Sequence, residues 1–357
     1  MKATFFTVAV VILATTVNAQ GTFNPTAFPP VNVVPPVDSP EMKEWLKGLN
    51  FADVPVHKLN TGNPPACPAL AAIPVDQCWW TCQTCPADDI ETCPTPGTWG
   101  LTFDDGPTAE TPALLQILKA SNLKASFFVM GSNVVRNAEV LKQEVADGHH
   151  LASHTWSHHP LTTLTNEQIV AELKWTEKAV FDITGLRMKY MRPPYGDIDN
   201  RVRAVVKKLG YIVVDWTSDA YDSKDFNLNA GHTNATLAAA VTKMSTTLIN
   251  YAANPGPKGV ITLQHDLYPV TIQFAKLLLP AVAQTNLKAM SVAECLNDAS
   301  PYQNSPNQNT TSPKPTGPPG TGNSPKVVDG NGANGLSAAT GTVFASMALV
   351  GVILSIL

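Results

Sequence analysis

The chain has 357 residues, of which 15% are charged and 44% hydrophobic, with 30 prolines. That apolar share suffices for a sizeable core, so wholesale disorder is excluded, and the length allows one large domain or two ordinary ones. With 24 Lys and Arg against 28 Asp and Glu the formal charge is −4, and no long basic run occurs, which excludes a nucleic-acid binder working by backbone neutralisation.

At the start, Met1-Lys2, an apolar run from Phe5 to Ala14 and small residues at Val17-Asn18-Ala19 describe a secretory signal peptide, with the mature chain beginning near Gln20. A Pro-rich leader runs from Asn24 to Pro40. Five cysteines follow in a crowd, Cys67, Cys78, Cys82, Cys85 and Cys93, and a sixth, Cys295, lies far downstream. An even count in an exported chain favours disulfides over the structural zinc that Cys78-x3-Cys82-x2-Cys85 also permits. The crowded five are expected to staple a loop-rich N-terminal flap, and Cys295 to clamp the end of the main domain back to it.

From Trp99 onward strand and helix patterns alternate. Apolar runs at Trp99–Phe103, Ala125–Val129, Lys189–Arg192, Tyr211–Trp216 and Val260–Gln264 read as buried strands, with His150–Ser153 a weaker case. Helices are expected at Ala109–Ser121, Arg136–Asp147, Asn166–Thr184, Asp199–Leu209, Thr236–Ala252 and Thr271–Thr285. Asn166 would cap the third of these, and Gly185 would end it. Such alternation over about 200 residues means a parallel α/β domain, either a barrel or a doubly wound sheet.

After residue 299 the chain is almost all Pro, Gly, Asn, Ser and Thr, which reads as a flexible stalk. Asn234 and Asn309 each open an Asn-x-Thr acceptor for N-glycosylation. The closing run Val343 to Leu357 is shorter than the roughly 20 residues of a membrane span. Preceded by small residues at Gly330–Gly335 and a polar spacer, it reads as a GPI signal, with Asn331 or Asn334 as attachment site.

Polar clusters follow the expected strands: Asp104-Asp105, His154 to His158, Arg192 to Gly196, Asp219 to Asp225 and His265-Asp266. In α/β barrels active-site groups gather at the carboxyl ends of strands, so five such clusters point to an enzyme. Asp105, His154 and His158 make a two-imidazole, one-carboxylate set, which suits a catalytic zinc with an open position. The pair His150 and His154 has the same spacing and competes, and periodicity alone does not choose. Asp104, on the same Asp-Asp-Gly-Pro turn, is then free to act as a base. Arg192 is positioned by type to pair with a carboxylate such as Asp104. His265 is a candidate general acid, its ring held by one of Asp219, Asp222 and Asp225. Backbone N–H groups of Tyr195 and Gly196 could steady an oxyanion, since the two preceding prolines have none. Together these parts describe metal-assisted hydrolysis of an amide or ester.

Thr102-Phe103-Asp104-Asp105-Gly106-Pro107, His154-Thr155-Trp156-Ser157-His158, Arg192-Pro193-Pro194-Tyr195-Gly196, Asp222-Ser223-Lys224-Asp225-Phe226 and Leu263-Gln264-His265-Asp266, in that order, resemble the five motifs of the polysaccharide deacetylases (NodB homology, carbohydrate esterase family 4). The resemblance spans about Trp99 to Cys295. It implies a distorted (β/α) barrel, here with a disulfide-stapled N-terminal extension. It also implies Asp104 as base, Arg192 orienting it, Asp105, His154 and His158 as metal ligands, His265 as acid and Asp222 tuning His265. Tyr195 would donate its N–H to the oxyanion, while Leu263 and Phe226, which stands where tryptophan is usual, would wall the acetyl pocket. Zinc is the expected metal, with cobalt or manganese fitting the same ligands. With Cys78-Trp79-Trp80-Thr81-Cys82, the signal and the GPI-like tail, the chain is most similar to GPI-anchored fungal chitin deacetylases.

The expected organisation is a signal peptide at 1–19, leader and cysteine-rich extension at 20–97, deacetylase domain at 98–298, stalk with the GPI site at 299–335, and a removed tail at 336–357. The expected protein is a monomer outside the cell, at the membrane outer face and wall, acting on chitin or chito-oligosaccharides. An esterase for O-acetylated xylan shares the same tetrahedral chemistry, and His265 as acid favours the amide. A non-catalytic glycan-binding wall protein needs no base and acid. Trp79 and Trp80 are candidates for sugar contact, with core packing the competing use.

Overall fold

The strand segments are short and hidden on both faces. In Ser126-Phe127-Phe128-Val129 and in His150-Leu151-Ala152-Ser153 every position is buried. A strand covered on both sides needs a layer against each, which parallel pairing through helical crossovers supplies. The computed structural model describes residues 23–83 and 87–305, without the side chain of Asp219. Among them are β1 (Thr98–Gly100), β2 (Thr102–Asp104), β3 (Ser126–Val129), β4 (His150–Ser153), β5 (Tyr190–Met191), β6 (Ile212–Val213), β7 (Val260–Ile261), β8 (Gln264–His265) and β9 (Lys288–Met290). Every ladder between them is parallel.

One sheet has the order β6-β5-β4-β3-β2-β8 and the other β7-β1-β9. The chain passes between them at Leu101, whose N–H donates to Met290 O (3.0 Å) and whose carbonyl accepts from Ser126 N–H (2.9 Å). No ladder closes the large sheet among the described residues. Instead the segment after β6 crosses to the far edge: Thr217 N–H bonds Ile261 O, Leu263 N–H bonds Tyr221 O and Ser223 N–H bonds Leu263 O, each at 3.0 Å. The result is the expected parallel α/β architecture, its barrel drawn together by single bonds at one seam.

Around the sheets lie α1 (Pro40–Leu46), α2 (Thr111–Ala120), α3 (Gly131–Arg136), α4 (Ala138–Ala146), α5 (Asn166–Thr184), α6 (Asn200–Lys208), α7 (Asn234–Ala253), α8 (Pro269–Ala283) and α9 (Val292–Cys295). The longest buried face belongs to α5, on which Ile169, Val170, Leu173, Trp175 and Val180 are covered. Its cap is Thr165, not Asn166: the threonine hydroxyl accepts from Gln168 N–H while Gln168 Oε1 accepts from Thr165 N–H, a reciprocal box that closes at this register. Gly185 ends it at φ 74°.

The helix expected over Arg136–Asp147 is α4, and the short α3 just before it was not expected. They are parted at Asn137, whose amide leaves the helical path to donate to Pro107 O (2.9 Å) beneath the acid turn. The expected strand over Tyr211–Trp216 shrinks to β6, because Ile90 comes in to bridge Val214 and Asp215 N–H turns to Ile90 O. Strand β9 had no apolar run to announce it. Lys288 is exposed, and the segment is a strand only through pairing with β1.

The leader packs against this frame. Phe28 stacks on Trp156 (6.1 Å between centroids), Trp156 Nε1 donates to Pro30 O (3.0 Å), and Trp45 meets Trp175 edge-on at 4.9 Å. Cys67 bonds Cys82 within the flap, and Cys93 bonds Cys295 as expected. Cys78 is disulfide-bonded as well. Cys85, the signal peptide, Asn309, Asn331, Asn334 and the tail fall outside the described residues. Within them, no helix is long and apolar enough to cross a membrane. Asn234 is the exposed first residue of α7.

Candidate active site

Parallel register sets the site. Asp104 pairs with Phe128 and, on its other side, with His265, while Ser153 pairs with Val129 and Met191. The residues at or just past these positions, Asp104, Asp105, His154, Arg192 and His265, therefore emerge together at one carboxyl edge. They surround a cavity of about 810 Å³, whose lining includes Asp104, Asp105, His154, His158, Tyr195, Asp222, Phe226, Leu263 and His265.

Arg192 lies behind that wall, fully buried. Its Nη1 donates to Asp104 Oδ1 (2.7 Å) and Thr102 Oγ1 (2.8 Å), Nε to Val214 O (3.1 Å) and Nη2 to Asp215 O (3.0 Å). The guanidinium carbon also sits 4.1 Å from the centroid of the Phe128 ring. Burial pushes the Asp104 carboxyl up to about 7, against the pull of Arg192.

Asp105 takes the left-handed region (φ 79°) at the start of the Asp-Gly-Pro turn. Its Oδ1 is 3.2 Å from His158 Nε2 and 3.5 Å from His154 Nε2. Burial lowers both imidazole pKa values, that of His154 to about 3, so both rings are neutral and able to donate lone pairs. His154 Nδ1 lies 2.9 Å from Arg192 O, an acceptor only, so the proton sits on Nδ1 and Nε2 is the free nitrogen. Burial resists ionisation of Asp105, but His158, His265 and His154 together hold its carboxyl below the usual range.

This donor set fits a divalent cation. Asp105 Oδ1 is buried with no hydrogen-bond partner, and the three ligand atoms lie within 4.8 Å of one another. Donors about 2.1 Å from one tetrahedral ion are about 3.4 Å apart, close to the separations above. The competing His150 is excluded: on β4, four residues span about 13 Å, and its Nδ1 is engaged with Ser126 Oγ at 2.8 Å.

His154 to His158 is not a helical turn. Thr155 and His158 have φ 67° and 60°, and a residue that sequence patterning did not single out holds the loop. Glu172 of α5 accepts from Trp156 N–H (2.7 Å), Ser157 N–H (2.8 Å) and the Ser157 hydroxyl. Burial pushes its carboxyl up to about 7 against those donors. Asp266, part of the His265-Asp266 cluster but given no role from the sequence, is a second support. Its carboxylate accepts from Thr111 Oγ1 and packs so tightly on the acid turn that a Cβ at Gly106 would lie 2.0 Å from Oδ2. The sequence signals for the two were an acid inside the Ile169–Leu173 apolar stretch of α5 and the acid beside His265.

The structure also corrects the partner of His265. Asp225, not Asp222, accepts from it, with Oδ1 2.7 Å from Nδ1 and Oδ2 3.0 Å from the backbone N–H. Asp222 instead accepts from Lys224 N–H (2.9 Å) and pairs with Lys224 Nζ (2.7 Å). Lys224 takes φ 53°, and this reversal delivers the second acid of the motif to the ring. Burial disfavours charge on His265, but Asp225, then Asp105 and Asp104, overcome it and raise its pKa to about 10.

Phe226 meets the His265 ring edge-on at 5.1 Å and is 40% exposed. Tyr195 turns at φ 61° and lays its ring 4.5 Å from that of His158. Trp79 and Trp80 divide. Trp79 is buried and donates to Asp197 Oδ1 (2.8 Å), whereas Trp80 lines the cavity against Trp216.

Comparison with known proteins places this geometry. A profile of the polysaccharide deacetylase family matches residues 91–214. Chitin deacetylase 1 of Saccharomyces cerevisiae is 33% identical over 275 residues, covering 76% of this chain and 82% of that protein. The chain belongs to the polysaccharide deacetylase family. Chitin deacetylase 1 of Cryptococcus neoformans var. grubii is 40% identical over 282 residues, which are 75% of this chain but only 58% of that relative. The solved chitin deacetylase of Colletotrichum lindemuthianum shares 31% identity with this family member at a TM-score of 0.54, covering 61% of this chain and 97% of that one.

Removing the acceptor for the ligand loop is expected to loosen the cation site. Glu172→Ala should weaken zinc binding by about 10- to 100-fold in titration calorimetry of chelator-stripped protein, and Glu172→Gln, which keeps one carbonyl acceptor, by less. Unchanged affinity in Glu172→Ala would show that the loop holds its shape without Glu172.

Proposed function

We propose that the protein is a metal-dependent hydrolase that removes N-acetyl groups from N-acetylglucosamine units of chitin or its oligomers, releasing acetate. The observation that carries this reading is the placement of a carboxyl and an imidazole, each held by a partner of opposite charge, at one cavity. Asp104 Oδ1 is held by Arg192 Nη1 (2.7 Å) and His265 Nδ1 by Asp225 Oδ1 (2.7 Å), which leaves Oδ2 and Nε2 for the chemistry. Membership of a deacetylase family and the names of the relatives support the substrate.

Asp105, His154 and His158 would hold the cation, zinc by the borderline softness of two imidazoles and a carboxylate, with cobalt or manganese as alternatives. When bound, it supplies Lewis-acid polarisation and lowers the pKa of water. Asp104 Oδ2, left free by the bond of Oδ1 to Arg192 and 3.8 Å from His154 Nε2, takes a proton from the attacking water. Oxygen then bonds to the acetyl carbon, and the negative charge falls on the former carbonyl oxygen, beside the N–H of Tyr195. His265 Nε2 delivers its proton to the departing nitrogen, the C–N bond breaks, and acetate and a sugar amine result. Leu263 and Phe226 wall the space for the methyl group. The disulfides support an extracellular site of action, with zinc loading, N-glycosylation at Asn234 and Asn309 and GPI attachment at Asn331 or Asn334 as parts of the same proposal.

Acetate release from N-acetylated chitin oligomers is expected to be abolished by a chelator, restored by zinc, and reduced about 10²- to 10⁴-fold by Asp104→Asn. Release from O-acetylated xylan alone would make the protein an esterase, and release from neither would remove the enzymatic reading. Asp225→Asn should shift the alkaline limb of kcat/KM. With the counter-charge gone, the raised pKa of His265 falls, and the acid is deprotonated at a lower pH. A displacement of about one to three units downward is expected, and an unmoved limb would show that His265 is not the acid.

A further inference from the structure

The cavity extends beyond residues 91–214 of the family match, since Asn32 of the leader and Trp80 and Thr81 of the flap line it. Asn32 is fixed by its N–H bond to Ser132 Oγ (2.8 Å). Its Oδ1 lies 3.5 Å from Nη1 of Arg136, which is equally far from Asn133 Oδ1. Asn133 in turn donates to the Asp105 carbonyl (2.7 Å), tying this end of the cavity to the cation site. Arg136 is exposed at the end of α3. Of the lysine and arginine side chains lining the cavity, Lys224 is paired with Asp222, and Arg136 makes no ion pair among the described residues.

We propose that Arg136, braced by Asn32 of the leader, is a charge filter for the glycan chain. It accepts neutral N-acetylated units and disfavours units that already carry a free amine. This rests on the deacetylase reading above, under which each turnover converts a neutral acetamide into an amine that is protonated at mildly acidic pH. A guanidinium without a counter-ion repels that ammonium, by about three- to tenfold in kcat/KM for two partly solvated charges several ångströms apart. The aspartates of the cavity do not cancel this charge. Asp104 is paired with Arg192, Asp222 with Lys224, and Asp105 faces the cation site. The filter limits how densely one chain is deacetylated, because the product of one turnover is a poorer neighbour for the next.

The test compares kcat/KM for fully N-acetylated chitotetraose with that for tetramers carrying one free amine at each other unit in turn. Wild type, Arg136→Gln and Arg136→Lys are measured at low and high salt. Wild type should prefer the fully acetylated tetramer over at least one amine isomer. Arg136→Gln should reduce that preference three- to tenfold, and Arg136→Lys should keep it. Salt should erode the preference in wild type but not in Arg136→Gln. An unchanged preference in Arg136→Gln, or its equal loss in Arg136→Lys, overturns the filter. No acetate from any tetramer with wild-type protein overturns the deacetylase reading and the filter with it.

Discussion

A fully buried guanidinium is the constraint around which the site is arranged. Arg192 reaches no solvent, so each of its donors must find an acceptor and its charge a counter-charge. The acceptors come from β2 and from the two residues that follow β6, through Thr102, Asp104, Val214 and Asp215. The same side chain thus pins the strand carrying both acids to the strands on the opposite side of the sheet. Its own carbonyl meets His154 Nδ1, so the tautomer of a candidate cation ligand depends on where Arg192 sits.

Around that anchor, like groups are given unlike tasks by environment alone. Asp104 and Asp105 are adjacent, yet burial raises the first while the second, with His158, His265 and His154 around it, lies below the usual range. Burial lowers the pKa of His154 and His158, whereas that of His265, also buried, is raised because Asp225 touches it. Left-handed backbone at Asp105, Thr155, His158 and Tyr195 aims these groups. Such conformations cost about 1–3 kcal/mol each, and Glu172 and Asp266 hold the loops that carry them.

Much of this was legible in the sequence, for identifiable reasons. Strands covered on both faces show as apolar runs, so β3 lay where its residues predicted, and β4 lay at the weaker His150–Ser153 signal. Other features depend on partners far along the chain. Strand β9 exists through β1, and the break at Asn137 exists through a carbonyl 30 residues earlier. The choice of Asp225 over Asp222 turned on a left-handed lysine between them. Spacing within a motif of alternating acids carries no trace of that reversal. Glu172 read as one more helix residue because its partners, Trp156 and Ser157, lie on a loop with no local pattern. Asn32 and Trp80 belong to segments with thin apolar patterning, and only packing brings them to the cavity wall.

The central claim is that the paired acids divide their labour, Asp105 holding the cation and Asp104 moving the proton. Calorimetric zinc titration of Asp104→Asn and Asp105→Asn tests it most directly, since each amide keeps the shape of the side chain and an oxygen acceptor. The account predicts that Asp105→Asn loses zinc affinity by at least about 100-fold, while Asp104→Asn binds one ion with affinity near that of wild type. Equal loss in both variants, or retained affinity in Asp105→Asn, would contradict it.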